Sequence, residues 1–223
     1  RGHHPKEEGL KMATDAKLPG DPYNVVITGV GGQGNVLASR VLGNIFTQQG
    51  YTVTIGETFG ASQRGGSVMS HLRISETGTW SPRMPRGRAH VIISLEPTEA
   101  LRVLADYGNP EVIVLCNTRP VHSIAVISGQ AQYPQQDRLR QWIGDLSARA
   151  WFLEATRAAM EMGNAIFANI MMIGALAAAD ILPVDRETFK TAISQMMSED
   201  KVAANCRAFD RGGQMLLQKE PGP

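Results

Sequence analysis

Between Tyr23 and Gly50 the chain passes from an apolar hexapeptide, YNVVIT, through a cluster of glycines into the periodic stretch Asn35–Gln48. No other stretch restricts the fold as strongly. A short run of Tyr, Val and Ile without polar alternation predicts a strand buried on both faces, as in the centre of a parallel sheet. Val36, Leu37, Val41, Leu42 and Ile45 then recur at helical spacing, and Gly50 is a natural helix stop. Tyr51–Ile55, YTVTI, supplies a second strand, so the segment reads as a right-handed βαβ unit. Gly29, Gly31 and Gly34 fit G-x-G-x-x-G, with Gly32 and Gln33 between them. That spacing lets the backbone turn tightly and directs N–H groups at the helix start toward an anion. Glu57 falls near the position of a ribose-binding carboxylate. Two details oppose a dinucleotide site. Gln33 stands where a small or apolar residue is usual, and Glu57 is read as opening the next loop rather than closing the strand.

The remaining pattern extends the α/β alternation. Strands are expected at Ser67–Ser75, within Ala89–Pro97, at Glu111–Cys116, as an edge strand at Ser123–Ser128, and within Ala148–Thr156. Helices are expected from Pro97 or Thr98, over Gln135–Leu146, and over Asn164–Ala179, Asp185–Met197 and Ser198–Leu217, with Asp185 as an N-cap. The fold class is therefore α/β: a Rossmann-like, mostly parallel sheet with a C-terminal helical layer. Residues 1–21 are polar and are expected to form a flexible N-terminal arm, and residues 22–219 a single domain. Ile166–Leu182 is the most apolar run, but it contains Asn169 and is short for a bilayer span, so it reads as a buried helix. The net charge of +1 gives no field that would draw nucleic acid or a membrane to the molecule. Cys116 and Cys206 form neither a disulfide framework nor a metal-ligand spacing, which points to the cytoplasm and to no metal site. Two thiols are also too few for an iron–sulfur cluster.

The stretch Glu57–Arg73, ETFGASQRGGSVMSHLR, carries the second signal. Gly65 and Gly66 follow Gln63 and Arg64 and permit positive φ, so the guanidinium can be presented on a tight turn, suited to paired hydrogen bonds with an anion. In the strand that follows, Val68, Ser70, Leu72 and Ile74 share one face, and Met69, His71 and Arg73 share the other. The second face needs polar partners, because an unpaired buried polar group costs about 1–3 kcal/mol. A ligand, a carboxylate such as Glu57, or another subunit could supply them.

Together, GVGGQGNVLASRVLG and ETFGASQRGGSVMSHLRIS resemble the gamma-type subunits of 2-oxoacid:ferredoxin oxidoreductases, most of all the beta subunits of the indolepyruvate branch. GNAIFANIMMIGALAAADILP and NCRAFDRGGQML continue the resemblance, which spans about residues 23–217. It implies a subunit that holds no cofactor alone and is inactive alone. A partner subunit carries thiamine diphosphate, Mg²⁺ and 4Fe–4S clusters. The complex decarboxylates a 2-oxoacid, here of aryl type, to acyl-CoA and CO₂, with coenzyme A as co-substrate and ferredoxin or another carrier as electron acceptor. On this reading Arg64, Gln63, Glu57 and His71 serve the catalytic centre. Gly29, Gly31, Gly32, Gln33, Gly34, Ser62, Gly65, Gly66, Ser67 and Asn169 face a phosphate-bearing group or the partner's backbone. Asn205 matches another polar position of the family. Two rival readings remain: a free-standing NAD-binding oxidoreductase, in which Glu57 reads the ribose, and a purely structural docking subunit.

Overall fold

The structure is a computed structural model that describes residues 18–60 and 66–220. The expected N-terminal arm falls almost wholly outside these residues, as do Ser62, Gln63, Arg64 and Gly65. The strands are β1 (Tyr23–Val30), β2 (Thr52–Phe59), β3 (Ser67–Ser75), β4 (Val91–Ser94), β5 (Ile113–Asn117) and β6 (Arg149–Leu153). They form one sheet in the order β2-β3-β1-β4-β5-β6. β1, β4, β5 and β6 pair in parallel. β3 is antiparallel to both β1 and β2, so β2 runs in the same direction as β1 without touching it.

The expected βαβ unit is thus split by an inserted strand. Helix α1 (Asn35–Gln48) still carries the crossover, and it ends as expected, with Gly50 at φ +91°. β2 also runs further than expected. β3 pairs with it as far as Phe59 opposite Val68, which places Glu57 inside the strand rather than at a loop entrance. The expected edge strand at Ser123–Ser128 is instead a short helix, α3 (Ile124–Ile127), capped by the Ser123 hydroxyl accepting from the Val126 N–H. The remaining helices are α2 (Pro97–Tyr107), α4 (Gln136–Asp145), α5 (Ala155–Glu161), α6 (Ala168–Ala178), α7 (Arg186–Ser194) and α8 (Glu199–Leu217).

The sheet has a core on each face. On one, Val25, Ile27, Leu72 and Ile93 meet α1 and the C-terminal helices. On the other, Val26, Ile92 and Val114 meet Val103 of α2 and Ile143 of α4. The helical layer is held by close backbone approach. A Cβ on Gly174 of α6 would lie 1.9 Å from the Phe209 carbonyl oxygen, and one on Gly212 of α8 would lie 1.9 Å from that of Met171. Asp185 caps α7 as expected, in a reciprocal box with Thr188. Among the described residues no helix is long and apolar enough to cross a membrane.

Candidate functional site

Because α1 leaves β1 toward one face and α2 leaves β4 toward the other, the sheet has a switch point between β1 and β4. Ligands of open α/β sheets bind in the crevice beyond the strand ends at such a point. A cavity of about 1120 Å³ opens there. Gly32 and Gln33 of the glycine turn border it, with Leu95 and Asn117 at the ends of β4 and β5. Thr118–Val121 form one wall, and Glu154, Arg157, Met160, Asn164 and Ile166 of the α5–α6 region form another.

The turn itself is stitched together from within. Gln33 folds back, so that its Oε1 accepts from the Val30 N–H at 2.8 Å and its Nε2 donates to the Leu95 carbonyl at 2.9 Å. Gly29 is needed for this, since a Cβ there would sit 2.5 Å from Gln33 Oε1. The Gly31 N–H donates to the Gly66 carbonyl at 2.8 Å and joins the two glycine-rich segments. Gly34 adopts φ +81°, and its carbonyl accepts from Asn169 Nδ2 at 3.1 Å. Of the turn's glycines, Gly32 has φ +100° and open space where a Cβ would stand.

Asn169 is buried in α6 and finds the partner such an amide requires. Its Oδ1 and that of Asn35 have no hydrogen-bond partner. Asn205 turns its amide back onto the Lys201 carbonyl at 2.9 Å within α8, a local bond away from the cavity. Ser67, at the start of β3, donates to Glu99 Oε2 at 2.6 Å, and the Arg102 guanidinium also binds that oxygen.

Two expected partners lie apart. Glu57 is paired with Ser70 in the sheet register, and His71 with Gly56, so their side chains occupy opposite faces. Glu57 therefore does not serve the His71–Arg73 face. On that face Arg73 is buried, donates to Asn24 Oδ1 and the Ser81 carbonyl at 3.1 Å each, and lies over Trp80. His71 is 1% exposed, neither ring nitrogen has a hydrogen-bond partner, and the ring meets Tyr107 edge-on at 4.9 Å. Burial first, then the Arg83 and Arg73 charges, push its pKa down to about 4. A neutral imidazole packed under α2 is a core residue, not one brought to the cavity.

Sequence reasoning missed Glu96, the last residue before α2. This carboxylate is 0% exposed. Its Oε2 caps α2 by accepting from the Glu99 N–H at 3.0 Å and from Thr98 Oγ1 at 2.6 Å. Its Oε1 accepts from the Val121 N–H at 3.3 Å and, by a short hydrogen bond, from the Tyr133 hydroxyl. Burial and the neighbouring Glu96 carboxylate raise the Tyr133 phenol above its ordinary range. The signal was present in SLEP, where a charged residue ends a run otherwise suited to a buried strand. Asn117 was also missed; its amide ties the Leu95 carbonyl to Thr156 and forms the cavity floor. Cys116 is buried and its thiol is pushed up by desolvation, so it is not a nucleophile at neutral pH. Among the described residues no cluster of His, Cys, Asp and Glu could hold a metal ion.

The structure thus places a crevice at the carboxyl edge of an α/β sheet, bordered by a glycine turn whose space is partly filled by its own Gln33 and by Asn169. The chain belongs to the pyruvate ferredoxin/flavodoxin oxidoreductase family, whose model matches residues 24–215. It is a subunit of a 2-oxoacid:ferredoxin oxidoreductase, an enzyme of oxidative decarboxylation. It is 38% identical over 191 residues to the indolepyruvate oxidoreductase subunit IorB of Thermococcus kodakarensis, covering 85% of this chain and 94% of that one. It is 27% identical to the gamma subunit of NADH-dependent phenylglyoxylate dehydrogenase from Aromatoleum evansii, over 85% of this chain and 92% of that one. A solved 2-oxoglutarate:ferredoxin oxidoreductase from Magnetococcus marinus, with 2-oxoglutarate, coenzyme A and succinyl-CoA bound, shares the fold. Its TM-score is 0.70 at 18% identity, over 91% of this chain and 32% of that longer one.

Proposed function

We propose that this chain is the cluster-free wall of a cytoplasmic, thiamine-diphosphate-dependent complex that oxidises an aryl 2-oxoacid. The substrate is of the indolepyruvate, phenylpyruvate or phenylglyoxylate type, and the products are acyl-CoA, CO₂ and a reduced ferredoxin-like acceptor. Two relatives named for indolepyruvate and phenylglyoxylate support the aryl side chain. Thiamine diphosphate, Mg²⁺ and 4Fe–4S clusters belong to the partner subunit, and the thiamine supplies the carbanion chemistry there.

The observation that carries this chain's part is the cavity at the sheet's carboxyl edge. Arg119 on its wall is exposed and pairs with no carboxylate among the described residues. Gly32 offers unobstructed backbone opposite. This donor set fits a phosphate-bearing group, and coenzyme A, bound in the solved neighbour, has the right chemistry. Arg157 lies beside Glu154 and Glu161, whose carboxylates offset its charge. Ser62, Gln63, Arg64 and Gly65 lie outside the described residues, between Gly60 and Gly66 in the sequence, and are proposed to meet the partner's cofactor. The Gly31–Gly66 bond sets Gly66 beside the glycine turn. The chain's contribution is electrostatic and steric: donors near anionic groups, and exclusion of water from the reacting centre.

The test is co-expression with the partner and measurement of 2-oxoacid- and CoA-dependent ferredoxin reduction. Arg119→Ala should raise the KM for coenzyme A about tenfold, the worth of one charge-assisted hydrogen bond. Arg64→Ala should sharply lower turnover while assembly survives. Normal kinetics in both variants, or reduction of NAD by the chain alone, would refute the reading.

A further inference from the structure

We propose that Glu96 is a positioning residue, whose second carboxylate oxygen sets the Thr118–Val121 wall of the cavity and with it Arg119. The proposal rests on the reading of that cavity as the ligand-facing part of the chain. A helix cap requires a single acceptor, and Glu96 Oε2 fulfils it through the Glu99 N–H. A shorter Asp would cap α2 equally well, and Ser would do so without burying a charge. Glu96 is instead long enough to turn Oε1 away from α2 to two groups distant in sequence, the Val121 N–H and the Tyr133 hydroxyl.

Those two bonds bracket α3. The helix buries none of its residues, and Ile124 and Ile127 are exposed, so packing does not hold the segment between Val121 and Tyr133 in place. Its attachment to the domain is the buried carboxylate. Burying that charge is costly unless every lone pair is engaged, and here the donors that engage it come from the helix start and from both flanks of α3. The arrangement converts a desolvated charge into a defined position for the cavity wall. The Thr118 end of the wall is tied to the sheet by its N–H donating to the Leu153 carbonyl at 2.9 Å, so Glu96 sets the Val121 end; Arg119 between them has no ion pair among the described residues.

Tyr133→Phe separates this duty from the cap, because it removes a bond to Oε1 and leaves the ring and both Oε2 bonds in place. Thr98→Val is the control on the cap side. In the assembled complex, Tyr133→Phe should raise the KM for coenzyme A about tenfold with kcat within about twofold. Amide hydrogen exchange across residues 118–131 should accelerate, and Thr98→Val should do neither. Glu96→Gln should show the same KM shift with an added loss of thermal stability, since its amide nitrogen faces donors. If Arg119→Ala raises the KM for coenzyme A but Tyr133→Phe leaves it unchanged, the positioning role is overturned and the cavity reading stands. If Arg119→Ala also leaves it unchanged, the cavity reading itself has failed. If Thr98→Val matches Tyr133→Phe, Glu96 is a cap and nothing more.

Discussion

Gly34 is the position where the structure makes its sharpest quantitative demand. Its φ of +81° is left-handed, and a Cβ there would stand 2.0 Å from Asn169 Nδ2 and 3.1 Å from Ile166 Cδ1. Gly34→Ala therefore acts twice. Left-handed backbone costs an L-residue roughly 1–2 kcal/mol. Displacing Asn169 breaks its bond to the Gly34 carbonyl and leaves a buried amide unpaired, which costs about 1–3 kcal/mol more. Gly32→Ala isolates the first contribution, because φ there is +100° but no atom lies within 4 Å of the added carbon. The two variants should thus differ by roughly 2 kcal/mol, or about 1 M in urea midpoint for a chain of this size. In the double variant Gly34→Ala/Asn169→Ala the clash is gone, so the two losses should fall well short of additive. Equilibrium urea unfolding followed by circular dichroism measures all four. Equal midpoints for Gly32→Ala and Gly34→Ala, or strict additivity with Asn169→Ala, would show that Asn169 does not bind the turn as described.

Other positions make equally direct demands. His71 has its native pKa depressed to about 4 from an ordinary 6.5, so between these values the unfolded chain binds a proton that the native chain does not. Stability is then unaffected above pH 6.5 and falls as the pH drops toward 4, by roughly 3 kcal/mol in total, and His71→Leu should flatten that slope in a pH series of urea titrations. Gly174→Ala and Gly212→Ala each drive a methyl group into the facing helix backbone, so either should cost several kcal/mol, beyond the usual range for overpacking. Gly213→Ala, inside α8 and with its nearest neighbour 3.5 Å away, should by contrast raise the thermal midpoint slightly, by about 2 °C.

Local chemistry made β1, α1 and the three last helices readable, because each has a period, a cap or a stop that needs no distant partner. Where distant pairing decides, reading failed. Nothing near Glu57 announces that β2 continues to Phe59; the extension exists because Val68 of β3 lies opposite. For the same reason the register that separates Glu57 from His71 was invisible until both strands were paired. SIAVIS is too short for periodicity to distinguish strand from helix, and the Ser123 cap decides it. The buried face of β3 was anticipated, and Arg73 found partners in Asn24 and Ser81, though not in Glu57. Glu96 escaped notice because a single carboxylate before a proline is common. Its importance comes from Val121 and Tyr133, which only the fold brings to it.

The glycine fingerprint illustrates how one backbone requirement can serve different occupants. A pyrophosphate cradle and the present turn both need residues without Cβ atoms where something approaches closely. In a cradle the approaching group is the ligand, and the turn's amides are left free for it. Here the Val30 amide is taken by Gln33, the Gly31 amide by the Gly66 carbonyl, and the space at Gly29 and Gly34 by Gln33 and Asn169. The spacing of glycines therefore records close approach but not what approaches. The discriminating residues are Gln33, whose amide group can satisfy a donor and an acceptor at once, and Asn169, more than a hundred positions away in a helix that a free-standing dinucleotide fold does not require. By filling the turn from within, the chain locks its glycine-rich segments to each other and to the C-terminal layer. The backbone left uncovered is at Gly32, which borders the same cavity as the Thr118–Val121 wall and, on the proposed reading, faces the ligand with it.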